Sequence, residues 1–119
     1  MATTKAYAAT APDSGLAPYA IDRRELRADD VAIEIDYCGV CHSDLHTVEN
    51  DWGGSKYPVI PGHEIVGRVT AVGPEVSHFK AGDLVGVGCM VDSCRSCSAC
   101  DSGLEQYCIE GSTMTYGSL

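Results

Sequence analysis

Cys94, Cys97, Cys100 and Cys108 stand in the pattern C-x2-C-x2-C-x7-C, which suits four thiolates closing around one metal ion. Two-residue gaps let neighbouring sulfurs curl toward a common centre, and the seven-residue gap lets the chain circle back. Zinc takes four ligands in a tetrahedron, and a site filled entirely by protein groups is structural. The cation itself keeps such thiolates deprotonated. Upstream lies a second set of metal-ligand types, Cys41-His42-Ser43-Asp44-Leu45-His46 and Gly62-His63-Glu64. Few functions need both a closed thiolate cage and a separate Cys/His site in so short a chain.

Each motif has rivals. An iron–sulfur cluster also uses C-x2-C-x2-C, but the bacterial ferredoxin run closes after three residues with Cys-Pro, whereas here seven intervene and Ile109 follows. Disulfides require an oxidising compartment, and free reactive thiols have no need of clustering. Cys38-Gly39-Val40-Cys41 is a C-x-x-C at a strand end, which admits a thioredoxin-like redox reading. No βαβ pattern surrounds it, so Cys38 reads as a small buried hydrophobe. Cys41 falls at the start of an expected helix, where the N-terminus favours a thiolate. His63 leaves the Pro61-Gly62 turn just before an apolar strand, and the adjacent Glu64 lifts it above an ordinary core histidine.

The elements that position these residues are mostly strands. Segment 31–37 alternates, with Val31, Ile33, Ile35 and Tyr37 on one face and Ala32, Glu34 and Asp36 on the other. Strands are also predicted at Lys5 to Ala9, Tyr19 to Arg23 and Leu84 to Val87. Ile65 to Val72 is apolar on both faces and reads as buried, with Gly67 marking a close approach. A helix is predicted from Ser43 toward Asn50, with Ser43 and Asp44 in its first turn, and a short helical turn over Leu104 to Tyr107. Many short strands with Gly and Pro turns indicate a mainly β barrel or sandwich. Residues 88–110 dissolve into small and polar types, a lobe held by its metal rather than by a core.

Whole-chain properties bound the function. The chain has 119 residues, enough for one modest core, and its single Trp, single Phe and six Tyr leave packing to aliphatic residues. With 8 basic and 17 acidic residues the net charge is -9, which argues against a nucleic-acid partner because polyanion binding needs a basic face, and reads as plain solubility. No secretory h-region opens the chain, and no run approaches the roughly 18 apolar residues of a spanning helix. A cytoplasmic protein without a membrane partner is expected, its seven cysteines reduced.

Gly62-His63-Glu64 followed by Gly67, Gly73 and Val76 resembles the G-H-E-x2-G-x5-G-x2-V signature of zinc-containing medium-chain alcohol dehydrogenases. Tyr37 to His46 and the four-cysteine lobe fall where that family has them, with wording most similar to the cinnamyl-alcohol-dehydrogenase branch. The resemblance covers essentially the whole chain. It implies a GroES-like β-barrel, partial here, with residues 1–119 as an incomplete N-terminal catalytic domain and 88–110 as its structural zinc lobe.

By that resemblance Cys41 and His63 are ligands of a catalytic zinc, with Glu64 beside the ion as a transient ligand. Ser43 and His46 match the proton relay, Asp44 the carboxylate that orients His63, and His42 a position near the cofactor phosphates. Left to themselves, Ser43 and Asp44 would be helix caps and His46 a surface histidine. The implied reaction interconverts primary alcohols and aldehydes with a nicotinamide cofactor, NADP rather than NAD, using two zinc ions per full-length subunit in a homo-oligomer. The third catalytic-zinc ligand, a cysteine, and the Rossmann domain are expected beyond residue 119, since no G-x-G-x-x-G follows a strand here. The isolated chain is therefore expected to be inactive. The competing reading is a zinc-stabilised binding module without catalysis. Trp52 suits either a pocket wall or the core, and His78 is expected to be exposed.

Overall fold

The computed structural model describes residues 2–117. Strands β1 (Ala2–Ala8) and β2 (Ala17–Arg23) pair antiparallel, in register from Ala2 opposite Arg23 to Ala8 opposite Ala17. Strands β3 (Val31–Gly39), β4 (Glu64–Val72) and β5 (Leu84–Val87) form an antiparallel sheet in the order β3-β4-β5. Helix α1 (His42–Glu49) follows β3 directly. A short ribbon pairs β6 (Met90–Asp92) with β7 (Thr113–Met114). The chain between these two strands holds α2 (Ser98–Asp101) and a 3-10 turn, Glu105–Tyr107.

Glycine permits the tight spots. A Cβ at Gly67 would run into the Glu34 carbonyl and the Ile33 side chain, so the close approach expected there is real. At Gly73 a Cβ would strike the Arg27 and Ala28 carbonyls, and the Gly73 N–H donates to the Asp30 carbonyl at 2.8 Å. Asp30 closes the β2–β3 loop by pairing with Arg24 and accepting the Arg27 N–H at 2.9 Å.

The core that supports the site is small. Ala9, Val48 and Val59 are buried together, with Tyr57 packed against them. Ala9 and Val59 exchange N–H···O bonds of 2.9 Å in both directions, and the Tyr57 hydroxyl donates to the Val48 carbonyl at 2.5 Å. These contacts pin the residue after β1, the last turn of α1 and the segment leading to His63 onto one another.

Three expectations about burial fail. The apolar face of segment 31–37 is not buried throughout, since Ile35 is 50% and Tyr37 76% exposed. Register shifts between Ala32 and Ile33 and between Ile35 and Tyr37 break the alternation, so the strand does not present one continuous face. Strand β4 buries Gly67 and Val69 but exposes Val66, Arg68 and Thr70, because the sheet is covered on one side only. Cys38 is exposed rather than buried. His78 is exposed, as expected. Among the described residues no helix is long and apolar enough to cross a membrane.

Candidate metal centres

Helix α1 begins one residue after Cys41, which is its N-cap in extended conformation. The Cys41 sulfur accepts the Ser43 N–H at 3.4 Å, and Asp44 reaches back to accept the Cys41 N–H at 3.0 Å. This reciprocal arrangement is a capping box with a thiol in place of the usual hydroxyl. The expected first-turn roles of Ser43 and Asp44 hold, although the cap itself is the cysteine.

Asp44 is fully buried and also collects two groups from 18 and 19 residues further along the chain. Its Oδ1 accepts the Gly62 N–H at 2.9 Å and lies 3.1 Å from His63 Nδ1. A proton on Nδ1 satisfies that contact and leaves the Nε2 lone pair free to bind a cation. Gly62, at φ 106°, admits this geometry, and a Cβ there would come within 2.5 Å of the Cys38 sulfur.

His63 is 6% exposed and stacks on Tyr116, with ring centroids 4.3 Å apart and planes at 22°. Cys41, Asp44 and His63 bring one ligand atom each within 4.8 Å of one another. Because both Asp44 oxygens already receive donors, the free ligands of the group are the Cys41 sulfur and His63 Nε2. A soft thiolate and an imidazole suit zinc.

Of the remaining expected site residues, Ser43 contacts this pair, and His42 and His46 form a ring cluster with Trp52. Ser43 Oγ is 2.9 Å from the Cys41 sulfur. His46 Nδ1 lies 2.7 Å from Asp51 Oδ2, and its ring packs between those of His42, at 4.7 Å, and Trp52, at 4.9 Å. Trp52 is exposed and, with Thr47, Met114 and Tyr116, lines a cleft of about 220 Å³, which favours the pocket-wall reading over the core. Glu64 stands outside the three-residue group, its carboxylate beside Gly39. Although Cys38 as a whole is exposed, local desolvation and then the Asp44 charge push its thiol up, opposite to the lowering that activates a redox cysteine.

Sequence reasoning missed Asp51 and Tyr116. Asp51 is reached because Asn50 adopts φ 60° and turns the chain back on the helix end, whereas nothing in the local pattern marks Tyr116.

The second centre lies between β6 and β7. All four sulfurs of Cys94, Cys97, Cys100 and Cys108 fall within 4.8 Å of one another. The Cys94 and Cys100 sulfurs are 3.9 Å apart. That is too far for a disulfide and close to the roughly 3.8 Å edge of a tetrahedron with Zn–S bonds of ~2.3 Å. Backbone N–H groups aim at the cage: Cys97 and Ser96 donate to the Cys94 sulfur at 3.2 and 3.5 Å, and Cys100 and Ile109 to the Cys97 sulfur, both at 3.5 Å.

The donors from Ser96 and Cys97 pull the Cys94 thiol down to about 6, and those from Cys100 and Ile109 lower Cys97. At Cys100 the Ser93 hydroxyl pulls downward, but burial and the adjacent Cys97 and Cys108 prevail and push the thiol up to about 11. Four thiolates this close need a cation to coexist. Arg95, at φ 64° inside the lobe, pairs with Asp29 at 2.7 Å and Asp92 at 3.3 Å, tying the cage to the β2–β3 loop.

Residues 27–119 match the family model of the alcohol dehydrogenase GroES-like domain. The chain belongs to that family. This GroES-like domain is 54% identical over 119 residues to NADP-dependent alcohol dehydrogenase C of Mycobacterium bovis, covering 34% of that protein. It matches the structure of cinnamyl alcohol dehydrogenase SbCAD4 from Sorghum bicolor with a TM-score of 0.91 and 48% identity, over 97% of this chain and 32% of that one. It matches CAD from Helicobacter pylori, complexed with NADP(H), with a TM-score of 0.93 and 42% identity, over 98% of this chain and 33% of that one. The domain therefore spans about a third of the length of the curated relatives it matches. The expected mainly β, GroES-like fold and its cinnamyl-type kinship are borne out.

Proposed function

We propose that this domain supplies the metal-binding and proton-handling part of an NADP-dependent zinc enzyme that interconverts alcohols and aldehydes. The observation that carries the reading is the Asp44–His63–Cys41 arrangement, a thiol and an imidazole with one carboxylate fixing both. Two ligand positions from one domain, with room beside them, suit a metal that must also accept substrate. Cys41 and His63 would hold a zinc ion, which would supply Lewis-acid polarisation of the alcohol or aldehyde oxygen, and a bound NADP would supply the hydride chemistry.

The chain's own residues do the rest. Asp44 holds the Nδ1 proton of His63 and the start of α1, so the thiol and Nε2 keep one geometry. Ser43 Oγ, beside the Cys41 sulfur, accepts the alcohol proton as it gives up its own, so the hydroxyl stays neutral. His46, half-buried and backed by Asp51, passes it to solvent, since an imidazole has one nitrogen to accept and one to donate. Trp52 and Tyr116 wall the cleft that admits the small-molecule substrate. His42, exposed on the first turn, is the candidate contact for the cofactor phosphates, and Glu64 the transient ligand one residue from His63. The four-cysteine lobe holds the second zinc. A homo-oligomeric, cytoplasmic enzyme completes the proposal.

The test compares two cysteines in an enzyme that carries this chain as its GroES-like domain. Cys41→Ser is expected to abolish NADP-dependent turnover of cinnamaldehyde or benzyl alcohol while Cys38→Ser retains it. Equal loss from Cys38→Ser would restore the C-x-x-C redox reading. Unchanged turnover with Cys41→Ser would leave a zinc-stabilised binding module.

A further inference from the structure

The β6–β7 ribbon runs from the four-cysteine lobe to Tyr116, whose ring stacks on His63. Strands β6 and β7 have three and two residues, too few for a ribbon that stands alone in water. What holds them in register is the excursion between them, residues 93–112, which carries all four cysteines. Its two ends meet directly where the Cys94 N–H donates to the Cys108 sulfur at 3.4 Å.

Past β7 the ladder continues for one residue. The Thr115 N–H donates to the Cys89 carbonyl at 2.9 Å, and the Thr115 hydroxyl donates to the Gly88 carbonyl at 2.5 Å. The next side chain is Tyr116, and its ring lies flat on His63, 4.3 Å between centroids. The β6–β7 ribbon thus ends on the imidazole of the other centre. Asp44 holds that imidazole by its edge at Nδ1 and Tyr116 by its face, so rotation about the ring's own bond is blocked in two directions.

We infer that Tyr116 is a positioning residue for His63, and that closure of the four-cysteine lobe sets the orientation of His63 through β7 and Tyr116. With the lobe open, β6 and β7 lose register, Tyr116 leaves the imidazole, and only Asp44 restrains it. The inference rests on the reading of His63 as a metal ligand, but the ring contact can be measured without it.

Two-dimensional NMR of the zinc-loaded 119-residue chain provides the test. The His63 ring protons lie under the face of Tyr116 and are shielded. Tyr116→Leu should move them downfield, Tyr116→Phe should restore the shift, and neither should disturb the β3–β4 amides. Cys97→Ser, which opens the lobe and leaves Cys41, Asp44 and His63 untouched, should produce the same downfield move together with faster amide exchange at Thr115. Adding Tyr116→Leu to Cys97→Ser should add nothing further, since both act on one contact. If Tyr116→Leu fails to fold, the Cys97→Ser comparison on its own decides.

A His63 shift unmoved by Cys97→Ser, or fully additive effects in the double variant, would overturn the coupling. A cobalt(II) titration separates the two readings. Absorption from a second cobalt equivalent, beyond that of the four-cysteine lobe, that survives His63→Ala with the coupling intact removes only the metal-ligand role of His63. Absorption lost with His63→Ala, alongside an unmoved shift in Cys97→Ser, removes only the coupling.

Discussion

Asp44→Asn should be the most damaging isosteric change in the domain. The carboxylate is fully buried and takes three donors, the Cys41 N–H at 3.0 Å on Oδ2, and the Gly62 N–H at 2.9 Å and His63 Nδ1 at 3.1 Å on Oδ1. An amide has one acceptor oxygen. With that oxygen toward Gly62 and His63, its NH2 confronts the Cys41 N–H; flipped, it confronts the other two. The better orientation still loses one charge-assisted hydrogen bond and strands one buried N–H, at about 1–3 kcal/mol for the orphan and ~1.5–3 kcal/mol for the lost bond.

Because these costs overlap, about 2–4 kcal/mol of destabilisation is expected. For a urea slope of ~1–3 kcal/mol/M this lowers the midpoint by on the order of 1–2 M. Urea titration followed by circular dichroism measures it, and zinc content under native conditions should fall at the Cys41–His63 centre alone. A stability within ~0.5 kcal/mol of the parent would show that the three donors are satisfied by other means.

Three further outcomes follow from separate parts of the fold. Cys94→Ser should cost the chain the lobe zinc, read by elemental analysis, and should raise amide exchange in β6 and β7 while β1–β2 stays protected. Gly67→Ala drives a Cβ into the Glu34 carbonyl and the Ile33 side chain, so a loss of about 1–3 kcal/mol in thermal or urea melts is expected from overpacking between β3 and β4. Asp30 is held down to about 2, chiefly by Arg24 and then by the Arg27 N–H. Its contribution is therefore complete above the unfolded carboxylate value of about 3.9 and fades as pH falls toward 2, a slope that Asp30→Asn should flatten in melts across that window.

The chemistry-bearing residues were legible because their types and spacing are local. Four cysteines within fifteen residues, and a Cys-x-Ser-Asp run at a strand-to-helix junction, announce themselves in one dimension. The helix was legible too, within a residue at each end, although a thiol cap has no place in the usual capping signature. What stayed hidden depends on contacts across the fold. Asp44 gains two of its three donors from the Gly62-His63 turn, Asp51 reaches His46 only through the left-handed Asn50, and Tyr116 arrives on His63 from the far side of the cysteine lobe. Alternation in 31–37 suggested one apolar face but carried no information on what covers it, and the register shifts that break that face up leave no mark in residue type.

Cys41 starts a helix and offers a ligand with the same sulfur, so secondary structure and reactivity share an atom. Oxygen is the better helix starter and the poorer partner for a soft cation. Exchanging the thiol for a hydroxyl therefore divides one atom's two duties, leaving a folded scaffold from which the chemistry alone has been subtracted. Such a scaffold is the natural reference protein against which every other change near this centre can be judged.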